Sequence, residues 1–378
     1  MKRLFASLAA LVILAVTSGA AEKQEKAVPA SDSRIVWIGR TSASDNGAIS
    51  FDWSATYARI SFKGDILEAV ISDTDRNLFN VWIDRPMSAE PDKIITTEGD
   101  ARRIVLADRN DFIRIYGRHI PAEHQVIIQK RSEGRQGIVT VNEFICNGDF
   151  SAACQPKERV IEFVGDSYTC GYGSENSISS DRFSVETENC SKAYAAILSR
   201  YFDADYITIC HSGQGVVRNY NDQDPKANMP LRYRRTFDSD EKAEWNPDGY
   251  SVTPDITVIY LGTNDFSVNK QPTYTAFKRN YLSLLRQIKK NYGEGHPVLC
   301  VSSKVDDNLF DYVRGAVLEC GMKNVRYCGL FNGLHHDDNT ELGADFHPNY
   351  KAHKKLAYAL IPYIATMTGW ETEDKIVE

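Results

Sequence analysis

Val160-Ile161-Glu162-Phe163-Val164-Gly165-Asp166-Ser167 is a short apolar run that stops on a glycine, an aspartate and a serine. A run of this length, closed by a turn signal, reads as a buried strand with the serine at its carboxyl end. Two later runs end in the same manner. Residues 206–210 lead into Ser212-Gly213-Gln214-Gly215, and residues 256–261 lead into Gly262-Thr263-Asn264-Asp265. Further strands are expected at 298–301 and 325–328. Between the strands, apolar residues recur at helical spacing: Ala193, Ile197, Leu198 and Tyr201; Phe277, Tyr281, Leu284, Leu285 and Ile288; Leu309, Val313, Val317 and Leu318. Leu356, Ala359, Leu360 and Ile364 form a last helix. Strands alternating with helices predict an α/β domain over residues 158–372, built on a parallel sheet covered on both faces. Such sheets hold ligands beyond the carboxyl ends of their strands, where the three polar segments fall.

Upstream the rhythm is different. Residues 34–150 read as an all-β domain. Residues 58–62 alternate, Lys63-Gly64-Asp65 turns, and residues 67–71 return. Runs at 79–84, 104–106, 113–116, 125–129 and 137–144 follow at the short spacing of a β-sandwich. No helix is expected here. Residues 147–158 read as a boundary and residues 22–33 as a linker. Lys2 and Arg3, the apolar run from Leu4 to Val16 and the small residues Ser18-Gly19-Ala20-Ala21 read as a signal peptide over residues 1–21. The mature chain is therefore expected to be secreted or periplasmic, with no membrane span after cleavage.

A chain of 378 residues, 42% hydrophobic and 25% charged, is long enough for two domains with cores of their own. The net charge of -7 opposes binding to nucleic acid or to an anionic membrane surface. None of the eight cysteines forms a C-x-x-C pair, so no structural zinc site is expected. Export would permit disulfides, and Cys146 with Cys154 and Cys170 with Cys190 stand as possible pairs.

The polar segments supply the parts of an acyl-transfer site. Ser167 is a poor nucleophile unless a base takes its proton. His347, in Asp345-Phe346-His347-Pro348 before the last helix, can take that proton and return it to a leaving alcohol. Gly215 can present a backbone N–H to an oxyanion without crowding, as can the Ser167 N–H, and Asn264 adds an uncharged amide donor. Each has a plain structural use, as a turn serine, a strand-end turn or an Asx turn. Asp265 reads as a buried loop organiser. The pair His335-His336, near Asp337-Asp338, reads as a solvated loop. Trp245 and Tyr250, before the third strand, are candidates for lining a substrate site. For Trp82 and Tyr116 in the sandwich, core packing competes with glycan stacking.

The four ordered blocks resemble those of the SGNH (GDSL-type) hydrolases. Together with His124-Gln125-Val126-Ile127-Ile128-Gln129-Lys130-Arg131-Ser132-Glu133 at the end of the sandwich, the chain resembles carbohydrate esterase family two more closely. The stretches Phe163-Val164-Gly165-Asp166-Ser167-Tyr168-Thr169-Cys170-Gly171-Tyr172-Gly173 and Glu188-Asn189-Cys190-Ser191-Lys192-Ala193-Tyr194-Ala195 look like that family too. The resemblance implies a flavodoxin-like SGNH-hydrolase domain preceded by a jelly-roll sandwich. It also implies a serine esterase that deacetylates plant polysaccharides or sugar 6-hydroxyls. A monomer is expected, with no cofactor and no metal. An SGNH esterase or lipase on other esters and a non-catalytic glycan-binding protein are the competing readings. The SGNH pattern places Asp three residues before the His, whereas that position here is Ala344. Two orienters for His347 therefore stay open, the Asp345 carboxylate or a main-chain carbonyl.

Overall fold

The computed structural model describes residues 25–152, 154–222, 227–249, 252–268, 271–303, 307–330 and 339–377. The signal-peptide stretch, Tyr250 and the His335-His336 pair lie outside these residues.

The N-terminal half is one curled antiparallel sheet. Its main strands are β1 (Lys26–Pro29), β2 (Val36–Ile38), β3 (Ile49–Phe51), β4 (Tyr57–Lys63), β5 (Ile66–Ile83), β6 (Lys93–Asp108), β7 (His124–Lys130) and β8 (Val139–Cys146). β5 is long enough to serve both layers. Its first half pairs with β8 and its second half with β7, while β6 runs beside it with register shifts near Asp73. The turn at residues 63–65 therefore does not close a hairpin. β4 pairs with β7 instead, because side chains on β4 and β5 must face a common core across two layers. Two other expectations are corrected. The supposed linker contains β1, which pairs with β8 from Lys26↔Cys146 to Pro29↔Glu143. Residues 113–116 belong to a helix, α1 (Arg109–Tyr116). Asp108 caps its N-terminus and Asp111 returns the bond to the Asp108 N–H, a capping box that outweighs the β-like alternation.

The C-terminal half follows the expected pattern. β9 (Val160–Gly165), β10 (Asp205–Cys210), β11 (Ile256–Tyr260), β12 (Val298–Ser303) and β13 (Val325–Leu330) form a parallel sheet in the order β10-β9-β11-β12-β13. The helices α2 (Ser167–Cys170), α3 (Tyr194–Tyr201), α4 (Tyr274–Tyr292), α5 (Asp307–Glu319) and α6 (Tyr350–Thr368) accompany it. The order reverses at β9, so the chain leaving β9 and the chain leaving β11 open a crevice at the carboxyl edge. Ser167 opens α2 at this point.

Two apolar clusters hold the molecule together. One lies inside the sandwich around Phe51, Phe62, Phe79 and Phe112. The other runs from the hydrolase core into the sandwich through Trp53, Tyr57, Trp82 and Ile127. Trp82 is thus core, and the two halves share one continuous packed interior. Buried polar bonds reinforce the joint. Tyr57 Oη donates to Asp205 at 2.7 Å, and Arg59 forms an ion pair with the same carboxylate. All eight cysteines are free thiols. Cys190 Sγ faces the Lys130 carbonyl and Cys170 Sγ faces Glu133, so the pairs considered from sequence are not bridged.

Candidate active site

Gly165 ends β9 because a β-carbon there would collide with Thr169 in the helix that follows. Asp166 caps α2, its side chain accepting from the Tyr168 N–H at 3.2 Å. This tight strand-to-helix turn sets Ser167 at the crevice, 5% exposed.

His347 Nε2 lies 2.9 Å from Ser167 Oγ. Its Nδ1 faces two main-chain carbonyls, Ala344 O at 3.2 Å and Asp345 O at 3.1 Å. A carbonyl can only accept, so Nδ1 carries the proton and Nε2 presents its lone pair to the serine. The ring is stacked on Tyr172, with centroids 4.1 Å apart, and Tyr172 is backed by Phe183. Burial lowers the imidazole pKa below the ordinary value, against the two carbonyl bonds and the charges of Asp345 and Glu133, which raise it. A base must be neutral to accept a proton, and a lowered pKa keeps it neutral to lower pH. The acid limb of kcat/KM is therefore expected below about pH 6.5, the ordinary histidine value, measurable as a pH–rate profile on a simple acetyl ester.

The Asp345 carboxylate is turned away from His347. It accepts from Tyr172 Oη at 2.8 Å, from the Phe183 N–H at 3.0 Å and from Arg182 at 2.9 Å. Of the two orienters left open by the sequence, the main-chain carbonyls are the ones that meet Nδ1. The physical reason is the backbone. Asp345 and Phe346 both adopt left-handed conformations, φ 49° and 60°, which bring the two preceding carbonyls onto the imidazole. Such a pair is unfavourable in non-glycine residues. It is held by the Asp345 N–H on Asp181 O, the Phe346 N–H on Ser179 O and the three bonds to the Asp345 carboxylate.

The donors are arranged differently from expectation. The Gly215 N–H donates to Asn219 Oδ1 at 3.2 Å, and a β-carbon at Gly215 would come within 2.5 Å of Asp265 Oδ2. Glycine is required there for packing, and this N–H already has an acceptor. Gly213, with φ +81°, sits three residues beyond Cys210, which pairs with Gly165. Among the described residues no acceptor meets the Gly213 N–H or the Ser167 N–H. Asn264 Nδ2 lies 2.9 Å from Gln214 O and 3.1 Å from Asp166 Oδ2. Both its N–H directions have acceptors, so an incoming oxyanion meets this amide by sharing one of them. Burial pushes the Asp166 carboxyl up to about 7. Asp265 accepts from the N–H groups of Val216, Val217 and Arg218, which makes it the loop organiser expected.

Trp245 is not brought to this crevice. Its ring covers the Arg40 guanidinium at 3.8 Å and meets Tyr292 edge-on. Arg40 and Tyr292 both turn toward Glu162, three residues and so roughly 10 Å before the end of β9. A buried cation under the sheet claims this tryptophan. Two aromatics that the sequence did not single out flank the crevice instead. Phe346, beside His347, and Tyr220, whose N–H donates to Gly213 O, are each 61% exposed. Phe346 stands inside the histidine block, and that position was the available signal.

A buried serine hydroxyl facing an oriented imidazole, with unoccupied N–H groups beside it at the carboxyl edge of a parallel sheet, is an arrangement able to transfer an acyl group, as a carboxylic ester hydrolase must. The chain belongs to the GDSL-like lipase/acylhydrolase family, which it matches over residues 163–355, and residues 37–156 match the carbohydrate esterase 2 N-terminal domain. It is 29% identical over 343 residues to the cellulase/esterase CelE of Acetivibrio thermocellus, covering 89% of this chain but only 40% of CelE. An acetylxylan esterase/glucomannan deacetylase of Cellvibrio japonicus is 25% identical, covering 91% of each chain. Among solved structures, a family two carbohydrate esterase from Clostridium thermocellum in complex with cellohexaose superposes with a TM-score of 0.78 at 27% identity. That match covers 89% of this chain and 100% of the other.

Proposed function

We propose that this esterase removes O-acetyl groups from plant polysaccharides or their sugars, among them xylan, glucomannan and 6-O-acetyl hexoses, through a covalent acetyl-Ser167. The 2.9 Å contact between Ser167 Oγ and His347 Nε2 carries the reading. The names borne by the Cellvibrio relative support the substrate class. His347 Nε2 takes the Ser167 proton as Oγ bonds to the acetyl carbonyl carbon. The oxyanion is held by the N–H groups of Ser167 and Gly213, with Asn264 sharing a donor. Gly213 takes the part first expected of Gly215, because the Gly215 N–H is held by Asn219. The tetrahedral intermediate expels the sugar oxygen, which receives the proton from His347. Water then gives its proton to the same nitrogen and attacks the acetyl carbon, releasing acetate and restoring Ser167. Phe346 and Tyr220 offer exposed aromatic faces on which a sugar ring stacks.

The main-chain version of the His347 support has its own consequence. In a triad held by a side-chain carboxylate, changing Asp to Asn costs about 10⁴-fold in kcat. Asp345→Asn keeps acceptors for Tyr172 and the Phe183 N–H, so its loss is expected to stay below about tenfold. A loss of three or more orders in steady-state kinetics would restore the carboxylate to the mechanism.

The reading also carries export directed by residues 1–21 and action outside the cytoplasm. Acetate release from acetylated xylan, acetylated glucomannan and 6-O-acetyl glucose tests the substrate class. Turnover confined to long-chain or aryl esters would replace it with a lipase-like reading.

A further inference from the structure

Residues 130–134 leave the sandwich domain and run behind the nucleophile. Lys130, Arg131, Ser132 and Glu133 are all fully buried there. Arg131 Nε donates to Glu188 O at 2.9 Å, and Lys130 Nζ donates to the carbonyls of Ser132 and Glu133, each at 2.8 Å. Gly134 passes so close to Asp238 that a β-carbon would lie 2.6 Å from its side chain. The segment is thus held by its buried basic side chains and a close main-chain approach, and its one acidic side chain points into the hydrolase domain.

Glu133 Oε2 accepts from the Ser212 N–H at 2.6 Å and from Cys170 Sγ at 3.4 Å. Ser212 is the residue before Gly213, and Cys170 closes the helix that Ser167 opens. One carboxylate oxygen from the first domain therefore ties together the two pieces of chain that carry the backbone donors. The Glu133 N–H in turn donates to Glu188 Oε2 at 3.0 Å. Burial, then the Glu133 charge beside it, pushes the Glu188 carboxyl well above the usual carboxylate range. A buried carboxyl pair does not hold two charges when one proton relieves it. Glu188 is therefore the carboxyl that burial disfavours as an anion, and the Ser212 N–H and the Cys170 thiol are the donors aimed at Glu133.

Resting on the serine-esterase reading, we propose that Glu133 is a positioning residue by which the sandwich domain sets the Ser212–Gly213 peptide for oxyanion binding. The sandwich is then a working part of the active site as well as a neighbour to it.

Glu133→Gln, Glu133→Asp and Ser167→Ala tested on the full chain with an acetyl ester separate the possibilities. Glu133→Gln removes the charge. It is expected to lower kcat between about 10- and 100-fold with KM little changed, since the neighbouring Gly213 N–H is used most in the transition state. Glu133→Asp draws the carboxylate back from Ser212, so kcat falls with KM again little changed. A Glu133→Gln enzyme with wild-type kcat overturns the proposal, as does one that loses KM and keeps kcat. Should the variants fail to fold, amide hydrogen exchange of the unaltered protein decides: a Ser212 N–H as protected as the core strands supports its bond to Glu133, and an unprotected one overturns it. Full activity in Ser167→Ala would defeat the serine mechanism itself, whereas an inactive Ser167→Ala beside a normal Glu133→Gln would defeat only the role of Glu133.

Discussion

Ser167→Ala is expected to abolish acetate release, with kcat lowered roughly 10⁴- to 10⁶-fold, and His347→Ala to fall in the same range. The two losses should not add. Oγ and Nε2 act as one unit at 2.9 Å, and removing either leaves the other without a partner for the proton. The fold should survive both changes. Ser167 is buried but small, and α2 is capped by Asp166 rather than by the serine. Substrate binding should therefore persist in Ser167→Ala, and a Kd for an acetylated oligosaccharide near the wild-type value would separate lost chemistry from lost structure. Retained turnover in the double variant would remove the covalent mechanism.

Asn264→Ala carries the second large expectation. An oxyanion donor acts where charge develops, in a site that excludes water, and losing one costs on the order of 3 kcal/mol, or about 10²-fold or more in kcat. KM should change little, since the ground-state carbonyl makes poorer use of the same donor. The geometry adds a feature that a simple donor would lack. Asn264 Nδ2 also bonds Asp166, whose carboxyl burial pushes up to about 7. Removing the amide leaves that carboxyl with one fewer donor and so raises its pKa further, because hydrogen bonds favour the charged form. The pH profile of Asn264→Ala should thus change shape as well as height. Equal kcat in variant and wild type would exclude Asn264 from the transition state.

The strands and helices of the second half were legible because parallel strands buried on both faces read as near-continuous apolar runs, and because covering helices keep a 3.6-residue stripe. Val160 to Val164, Ile256 to Leu261 and the stripe from Phe277 to Ile288 announce themselves in this way. The sandwich was less legible. An eighteen-residue strand that changes partners midway, an edge strand of four residues and a capped eight-residue helix depend on pairing and capping that alternation does not encode. Trp245 shows the same limit. A tryptophan in a polar loop resembles a ligand platform until a buried Arg40 is found beneath it.

The linear chain by itself singled out the candidate nucleophile and the candidate base. Each sits at a local signal, a strand end or a helix start, that needs no distant partner to be recognised. Tertiary structure alone decided the groups around them. The orientation of His347 rests on two left-handed residues whose conformation is held by Ser179, Asp181, Arg182 and Phe183. The proposed choice of Gly213 over Gly215 rests on Asn219, and the approach of Glu133 to Ser212 joins residues 79 positions apart. Hydrogen-bond acceptors are allotted by proximity in space, and proximity across such separations exists only once the domains have packed.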